Sequence, residues 1–471
     1  MRYISTRGQS GSLTFSDVLL EGLAPDGGLY VPEEYPQLTW QDVLKMRTWS
    51  YNEIAVHVLK MFIGSDIDDI TLRRIVWTSY DPRVFGSFDI TPIQPIANGV
   101  GLLKLSNGPT LAFKDIALQL LANLMDHVLC ERDEYLNIVG ATSGDTGSAA
   151  EEAVRRRSRL RIFMLSPWGR MTPFQQMQMY RIRDPAVFNL VPDGNFDDCQ
   201  AAVKLINADT AFKERYSIGA VNSINWARIV AQVVYYVYGY SRVVAHSGEL
   251  LTVSVPSGNF GNALAAYVAG KMGLRMNILV ATNDNDVLTE YFHTGTYRVR
   301  TGAEVTQTQS PSMDIASASN FERFMFDLVG RDSAQLRALW CELAQTGSFT
   351  WGYRNDPDSA ITIRSGTASD AEVTKTITLV FDQYGIIIDP HTAVAAKVFF
   401  DQKTMGPALI AETAQPAKFE EAIKRALGIR MLIPQSCRHL LQNEERITRI
   451  NQTDPAAIAY EMKELIEAVV D

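Results

Sequence analysis

YLNIVGATSGDTGSAAEEAVRRRSRLRIFMLSP, which spans residues 135–167, contains in order an apolar β-rich run, a polar turn, a helix-like stretch and a second apolar run. This order predicts a strand–helix–strand unit. The same order returns at residues 250–283, in LLTVSVPSGNFGNALAAYVAGKMGLRMNILVATN. Because strands that are joined through a helix usually run parallel, the two units predict an α/β protein with parallel sheets.

Shorter versions of this pattern fill much of the remaining chain. A hydrophobic run, a polar turn and an amphipathic helix are predicted in VFNLVPDGNFDDCQAAVKLI from residue 187 and in PALIAETAQPAKFEEAIKRAL from residue 407. The first 95 residues differ, because they contain Pro-rich and Gly-rich turns such as APDGGLYVPEEYP. We therefore predict an N-terminal portion at residues 1–95, a smaller α/β domain at residues 96–240 and a larger α/β domain at residues 241–471.

The composition is that of a globular protein, since 46% of the 471 residues are hydrophobic and 21% are charged. These values exclude disorder as the main state. At about 150 residues per domain, the length allows roughly three structural units, enough for a large core and a cleft between units. The net charge of −9 disfavours nucleic-acid binding, which requires a positively charged surface.

The cysteines and histidines indicate no metal site. Cys130, Cys199, Cys341 and Cys437 are far apart, and the six histidines form no HExxH motif, so the sequence fits neither a disulfide framework nor a zinc cluster. The first residues contain no sustained apolar core, and no uncharged apolar run approaches the ~18 residues of a membrane span. We expect a cytoplasmic protein that binds no metal and no membrane.

Two loops that follow predicted strands are suited to bind anions. Ligands of open α/β sheets gather at the carboxyl ends of the strands. The loop SGNFGN, residues 257–262, exposes backbone N–H groups at the start of a helix, as a phosphate site requires. The loop TSGDTG, residues 142–147, offers hydroxyl and N–H groups that suit a carboxylate. A plain strand-to-helix turn and ordinary helix capping are the respective alternatives.

Lys114 is a candidate nucleophile. It lies in GPTLAFKDIALQLLANLM, between Phe113 and a helix with an apolar face. Burial disfavours the ammonium form of such a lysine, and its neutral amine can form a Schiff base. A lysine whose stem lies along the helix and whose amine reaches solvent is the alternative.

LAFKD, TSGDTG and SGNFGN, in this order and far apart, resemble the threonine synthases, which are pyridoxal-phosphate enzymes of fold type II. Further similar segments span nearly the whole chain: GLAPDGGLYVP near residue 22, DGNFDDCQ at 193, NSINWAR at 222, SPSMDI at 310, DPHTAVA at 389 and ETAQPAKF at 412. The resemblance implies two open parallel-type α/β domains with the active site between them.

The resemblance also implies a binding site for pyridoxal 5'-phosphate. Lys114 would form the Schiff base, Asp145 would lie beside the phenolic oxygen with its own partner left open, and Thr413 would hydrogen-bond the pyridine nitrogen. For Thr413 the alternative is an N-cap of a helix that begins near Pro416. Six residues would surround the cofactor phosphate: Ser257, Gly258, Asn259, Phe260, Gly261 and Asn262.

The substrate of the family is O-phospho-L-homoserine, which reacts with water to give L-threonine and phosphate in the last step of threonine biosynthesis. The resemblance implies two sites for its two anionic ends. The carboxylate would be bound by Thr142, Ser143 and Thr146, and the phosphate by Arg170, Asn222, Ser223 and Arg228. For Arg228 the alternative is a solvated helix arginine, although its neighbours are apolar. A forked guanidinium is well suited to phosphate.

The sequence departs from the family at two positions. Asn107 and Gln415 stand where the family often has histidine, so hydrogen bonding is kept and a titratable ring is lost. Two alternative functions stay open. One is a phospholyase of the same fold, which releases a keto acid, ammonia and phosphate. The other is a binding protein without catalysis, against which the presence of Lys114 argues. The oligomeric state stays open between monomer and homodimer.

Overall fold

The computed structural model describes residues 1–355, 359–402, 404 and 406–471, which include every predicted site residue. The strands of this part of the chain are β1 (Tyr3–Ser5), β2 (Tyr30–Pro32), β3 (Ile93–Ala97), β4 (Val100–Lys104), β5 (Leu136–Ala141), β6 (Leu160–Leu165), β7 (Val187–Pro192), β8 (Ile218–Gly219), β9 (Leu251–Pro256), β10 (Met276–Thr282), β11 (Thr296–Arg298), β12 (Ser348–Thr350), β13 (Ile361–Thr367), β14 (Ala408–Glu412) and β15 (Thr448–Ile450).

The first α-helices of the chain are α1 (Phe15–Glu21), α2 (Trp40–Met46), α3 (Tyr51–Ile63), α4 (Asp69–Ser79), α5 (Pro82–Phe85), α6 (Lys114–Arg132), α7 (Asp145–Val154), α8 (Pro173–Tyr180), α9 (Phe196–Ala208) and α10 (Thr210–Arg215). The later helices are α11 (Trp226–Val243), α12 (Gly261–Lys271), α13 (Val287–Thr294), α14 (Phe321–Leu328), α15 (Ser333–Thr346), α16 (Asp370–Tyr384), α17 (Pro390–Gln402), α18 (Glu420–Leu427) and α19 (Pro455–Val470). Short 3-10 helices cover Gly302–Glu304, Pro311–Met313, Pro416–Phe419 and Gln435–Gln442.

The larger sheet has six strands in the order β13-β10-β9-β14-β4-β3. All neighbours in it are parallel except β3, which runs antiparallel to β4 at the edge. Every residue of β9, β10 and β14 is buried, as expected for central parallel strands that are covered on both faces.

The smaller sheet has five parallel strands in the order β15-β7-β6-β5-β8. Its β5-α7-β6 segment is the unit predicted at residues 135–167, and β9-α12-β10 of the larger sheet is the unit predicted at residues 250–283. Both strand–helix–strand predictions are therefore confirmed.

Both sheets draw strands from across the predicted domain boundaries. β4 lies beyond residue 95 and before residue 240, yet it pairs with β14 of the larger sheet. β15 lies near the C-terminus, yet it pairs with β7 of the smaller sheet. The three-part division near residues 95 and 240 remains a prediction. It divides the chain into consecutive segments, whereas each sheet contains strands from more than one of them.

The N-terminal portion packs against α11, a central helix that is buried along almost its whole length. α11 contacts α3 of the N-terminal portion and also α6 and α12. The buried residues of these helices belong to one continuous hydrophobic core. Among the residues described, no helix is both long and apolar enough to span a membrane.

Candidate functional site

Lys114 lies at the first position of α6, beside the carboxyl end of β14. The backbone just before it pairs with the segment after β14, because the Phe113 N–H donates to the Thr413 carbonyl at 2.8 Å and the Gln415 N–H donates to the Leu111 carbonyl at 3.0 Å. Its Nζ donates to Ser312 Oγ at 3.4 Å. Burial, and to a smaller extent the positive charges of Arg228 and Lys418, lower the pKa of Lys114 to about 8. The negative charge of Asp145 opposes this shift.

Asp145 connects the two sheets at the carboxyl ends of their strands. It follows β5 of the smaller sheet, and its Oδ1 lies 3.1 Å from Nζ of Lys418, which follows β14 of the larger sheet. Gln175 Nε2 donates to the same oxygen at 3.0 Å, and Ser312 Oγ donates to Oδ2 at 3.4 Å. Although burial opposes ionisation, Lys418 and Lys114 hold the pKa of Asp145 far below its usual range. The partner that the sequence left open is therefore Lys418, and Asp145 is a carboxylate.

Lys418 is buried beneath this site. Besides its ion pair with Asp145, its Nζ donates to the Thr110 carbonyl and to Gln178 Oε1, each at 2.7 Å. Three acceptors thus surround the ammonium group, which compensates for its loss of water. The lysine fixes Asp145 rather than offering a free amine to a ligand.

The loop at residues 142–147 is shaped by Thr142. Its Oγ1 accepts hydrogen bonds from the backbone N–H groups of Gly144 and Gly147, at 3.0 and 2.9 Å. Only the hydroxyl hydrogen of Thr142 is left to donate to a ligand. Ser143 is exposed and Thr146 is partly exposed, so both face away from the packed core. Ordinary helix capping by a serine or threonine is not what the structure shows, because the N-cap residue of α7 is Gly144 and no side chain caps it there, although the Thr142 hydroxyl accepts the N–H of Gly147 in the first turn.

The loop at residues 257–262 leads into α12 with an unusual backbone turn. Phe260, the residue before the helix, has a φ of 62° and provides no side-chain cap to the first N–H groups. Its ring packs edge-on against Phe321 and Phe324, which fixes the turn. A Cβ at Gly258 would lie only 3.0 Å from Met313 Cα, so a larger residue would displace the loop.

Two buried polar atoms of this loop fit a phosphate group. Ser257 Oγ and Asn262 Nδ2 have no hydrogen-bond partner within the described residues, and both can donate. The carbonyl oxygen of the Asn262 side chain accepts from the hydroxyls of Tyr235 and Tyr236, at 2.6 and 2.7 Å, so its amide group is held in one orientation. Together with the uncapped start of α12, these donors fit the phosphate of pyridoxal phosphate.

Arg228 is buried in the first turn of α11. Its Nε and Nη1 are enclosed and lack partners in the part of the chain that the structure covers. Burial lowers the pKa of its guanidinium to about 10, which still leaves it charged at neutral pH. An enclosed and unpaired guanidinium is suited to an anionic ligand, and a solvated helix arginine is therefore the wrong interpretation.

The other predicted phosphate ligands differ in their surroundings. Asn222 and Ser223 lie just before α11, where Asn222 Oδ1 accepts the N–H of Asn225 and the Ser223 carbonyl accepts from Asn320 Nδ2. Arg170 is exposed, and its side chain forms no hydrogen bond or ion pair with any residue placed by the structure. The charge of Arg228 thus acts on the pKa of Lys114, whereas the Arg170 side chain forms no hydrogen bond or ion pair with another described site residue.

Thr413 is buried between β14 and the following 3-10 helix. Its N–H donates to Thr392 Oγ1 at 3.3 Å, and its carbonyl accepts from Phe113. The alternative that Thr413 caps the next helix is wrong, because the residue at the N-cap of Pro416–Phe419 is Gln415 and no side chain caps it.

Three side chains of the site were not predicted from the sequence. Ser312 lies between Lys114 and Asp145, His391 Nε2 accepts the Ser312 N–H at 3.2 Å, and Lys418 pairs with Asp145. His391 Nδ1 lies 2.9 Å from Asp389 Oδ1, which places the imidazole proton on Nδ1. The segments SPSMDI, DPHTAVA and PAKF were noted, but residue type alone assigns no chemistry to them.

The two positions that depart from the family contact each other. Gln415 Nε2 donates to Asn107 Oδ1 at 3.5 Å and to Ser106 Oγ at 3.1 Å. Ser106 Oγ in turn donates to Glu412 Oε1 at 2.9 Å. Two amide side chains therefore occupy this place as a pair, beside a buried carboxyl group.

Sequence families match almost the entire chain. "Threonine synthase N terminus" matches residues 2–80, "Pyridoxal-phosphate dependent enzyme" matches residues 90–349 and "Threonine synthase, C-terminal" matches residues 392–460. A threonine synthase from Methylobacillus glycogenes is 48% identical over 97% of this chain and 98% of its own length. One from Corynebacterium glutamicum is 46% identical over 91% of each chain.

Solved structures agree with this result. A pyridoxal-phosphate-bound threonine synthase from Brucella melitensis superposes with a TM-score of 0.93 at 41% identity, covering 100% of this chain and 99% of its own. The threonine synthase from yeast gives a TM-score of 0.90 at 32% identity over 100% and 98% of the two chains. The predicted fold type is confirmed, and the chain belongs to the threonine synthase family of pyridoxal-phosphate-dependent enzymes.

Proposed function

We propose that this chain converts O-phospho-L-homoserine and water to L-threonine and phosphate. The observation that carries the proposal is the enclosed Arg228 guanidinium, which has two donor atoms without partners among the described residues and whose charge acts on Lys114. A phosphorylated substrate supplies the anion that this group lacks. The threonine synthase relatives, at 48% and 46% identity, support the same reaction.

Two separate sites are proposed for the two phosphate groups. The loop Ser257 to Asn262 binds the phosphate of the cofactor, while Arg228 binds the phosphate of the substrate with help from Asn222, Ser223 and Arg170. The support for this assignment is that unpaired donors occur at both places within the described structure, on Ser257 and Asn262 of the loop before α12 and on Arg228 in the first turn of α11. The substrate carboxylate is assigned to Ser143, Thr146 and the hydroxyl hydrogen of Thr142.

When bound, pyridoxal phosphate supplies an electron sink for carbanions formed on the amino-acid substrate. Lys114 removes a proton from the α carbon of the substrate and then one from its β carbon. A lysine with a pKa of about 8 has a substantial neutral fraction near physiological pH, so its amine is available as a base. Ser312, within 3.4 Å of both Lys114 Nζ and Asp145 Oδ2, orients the amine for these transfers.

The arginines act on the leaving group. Arg228 stabilises the negative charge that develops as phosphate departs from the γ carbon, and because it is enclosed its electrostatic effect is stronger than in water. Of the two protons removed, one is delivered to the γ carbon and one is returned to the α carbon. Water adds its hydroxyl group at the β carbon, and its remaining proton goes to the released phosphate. Thr413 is proposed to contact the pyridine nitrogen through a neutral hydroxyl, and Asp145 is proposed to lie beside the phenolic oxygen as a carboxylate.

We further propose that the protein works in a reducing compartment such as the cytoplasm. Its cysteines support this, since Cys130, Cys199, Cys341 and Cys437 are all free thiols and Cys130 and Cys341 are exposed.

The reaction is tested by product analysis. Purified protein is incubated with pyridoxal phosphate and O-phospho-L-homoserine, and threonine, phosphate and 2-oxobutanoate are measured, with Lys114→Ala as the inactive control. Threonine and phosphate in equal amounts are expected. Phosphate with 2-oxobutanoate and no threonine would instead assign the phospholyase reaction, and threonine formation by Lys114→Ala would contradict the role of the lysine.

A further inference from the structure

Asn320 joins the two loops that carry the proposed phosphate sites. It is fully buried just before α14. Its side-chain Nδ2 donates to the Ser223 carbonyl at 3.1 Å and to the Asn259 carbonyl at 3.2 Å. Its backbone N–H donates to the same Asn259 carbonyl at 3.1 Å. One amide group therefore fixes the distance between the loop before α11 and the loop before α12.

Arg323 holds Asn320 in this orientation. Arg323 is fully buried, and its Nη1 donates to Asn320 Oδ1 at 2.6 Å. With its oxygen bound to a guanidinium, the Asn320 amide must direct its NH₂ group toward the two carbonyls. The second guanidinium nitrogen, Nη2, donates to the Ile224 carbonyl at 2.5 Å, in the same loop as Ser223.

The same arginine reaches the N-terminal portion. Its Nε donates to the Tyr30 carbonyl at 2.8 Å, and its guanidinium lies over the Trp226 ring at 5.4 Å. From the other side, Asn225 Nδ2 donates to the Leu19 carbonyl at 2.9 Å. The loop at residues 222–225 is thus held between the N-terminal portion and Arg323, although no residue of that portion is among the predicted ligands.

From these contacts we infer that Asn320, oriented by Arg323, is a positioning residue that sets the spacing of the two phosphate-binding loops. The inference rests on the proposed function for the assignment of the loop at Ser223 to the substrate. Its consequence is that one substitution at Asn320 weakens the binding of both the cofactor and the substrate. Substitution of a residue that contacts only the cofactor, or only the substrate, does not have this double effect.

The test compares Asn320→Ala with Asn277→Ala. Asn277 is also a buried asparagine, on β10, whose side chain joins Thr252 and Thr362, outside both loops. For Asn320→Ala we expect the dissociation constant for pyridoxal phosphate and the KM for O-phospho-L-homoserine each to rise about tenfold, with a smaller change in kcat. For Asn277→Ala we expect a lower unfolding temperature with both constants within twofold of the wild type.

Two further variants serve if Asn320→Ala does not fold. Asn320→Asp keeps the shape and the acceptor for Arg323 but replaces the donor by an oxygen that repels both carbonyls, so both constants rise. The second variant is Arg323→Lys, and its control is Arg331→Lys. Arg331 also donates to carbonyls of the N-terminal portion, at Pro32 and Glu33, but not to either loop. Arg323→Lys is expected to raise both constants and Arg331→Lys to leave them unchanged.

Binding of inorganic phosphate, measured by its competition with the substrate or directly by calorimetry, separates this inference from the proposed reaction. If the wild-type protein forms no threonine, the proposed function fails, yet weaker binding of both pyridoxal phosphate and inorganic phosphate to Asn320→Asp still supports the positioning role. The inference is overturned if the Asn320 variants lose only thermal stability, as Asn277→Ala does, or if only one of the two ligands binds more weakly.

Discussion

At the residue scale, opposing influences act on the amine of Lys114. Burial and two neighbouring cations lower its pKa to about 8, while Asp145 raises it. Only the neutral amine can attack the aldehyde of pyridoxal phosphate. The rate of covalent capture by the apoprotein is therefore expected to rise with pH and to level off above about 8. Stopped-flow absorbance measures this rate, and Lys114→Ala should show no capture.

Asp145→Asn tests the direction of the electrostatic effect. Removing the carboxylate removes the attraction that favours the ammonium form, so the midpoint of the capture profile should move to lower pH. Asp209→Asn is the control, because Asp209, at the N-cap of α10, also pairs with a lysine, Lys463 of α19. An unchanged midpoint in Asp145→Asn would show that Asp145 does not act on Lys114.

Arg228 and Arg170 are expected to differ in importance. Arg228 is enclosed and Arg170 is exposed, and a charge-assisted hydrogen bond is stronger where water is excluded. Arg228→Ala should raise the KM for O-phospho-L-homoserine by about a hundredfold, and Arg170→Ala by only a few-fold. Steady-state kinetics measures both. The affinity for pyridoxal phosphate should stay near the wild-type value in each variant, and a loss of cofactor from Arg228→Ala would mean that the two phosphate sites were assigned in reverse.

Sequence patterns predicted the residues of this site unevenly. Lys114 and the loops at residues 142 and 257 were identifiable because glycines, hydroxyl groups and a lysine occur at strand ends. Lys418 was not, since a lysine in PAKFEEAIKRAL resembles the solvated lysines of any amphipathic helix. Its role depends on Asp145, 273 positions away, and such a distance cannot be read from residue type.

At the element scale, α7 contains a carboxyl group whose pKa is raised by burial. Glu151 is fully buried, and its Oε2 accepts from Asn189 Nδ2 at 3.3 Å. Burial raises the pKa of Glu151 well above its usual range. The Glu151 Oε1 and Asn189 Oδ1 atoms both lack partners among the described residues, and a proton on Glu151 can satisfy the pair.

This proton makes stability depend on pH. Below the ordinary pKa of a glutamate the folded and unfolded states are both protonated. Between that value and the raised pKa of the folded state only the unfolded state ionises, so within this window stability falls by about 1.4 kcal/mol per pH unit. Glu151→Gln keeps the shape and removes this loss. Its unfolding temperature should exceed that of the wild type by a few degrees at pH 8, and the two should agree near pH 4.5.

The neighbouring residue gives the control for that prediction. Glu152 pairs with Arg155 at 3.0 Å on the outer side of the same helix and is partly exposed. Glu152→Gln should change the unfolding temperature little at either pH, because a pair of this kind contributes little to stability. A gain that is the same at both pH values for Glu151→Gln would show that Glu151 is ionised in the folded protein.

Element type was easier to predict than pairing. The strands and helices of both strand–helix–strand units follow directly from hydrophobic periodicity and from glycine-containing turns. The position of β15 in the smaller sheet does not, because a three-residue strand has too short a pattern and its partner, β7, is more than 250 residues away in the chain.

At the scale of the whole molecule, α19 closes one face of the smaller sheet. Ile458, Met462 and Ile466 are fully buried in a hydrophobic cluster with residues of α9. Met462→Ala should lower the free energy of unfolding by about 3 kcal/mol through the cavity it creates. Tyr460→Ala, on the exposed side of the same helix, should have almost no effect. Denaturant unfolding measures both, and the KM should be unchanged because neither residue contacts the site.

Because β4 pairs with β14, the site cannot form during synthesis until β14 has been made. Some 300 residues separate these strands, which at 5–20 residues per second amounts to roughly 15–60 s of elongation. Until then β4 has one open edge, and Lys114 has neither Thr413 nor Lys418 beside it. Before β14 and the residues after it have been synthesised, a nascent chain therefore cannot hold its cofactor in the finished site.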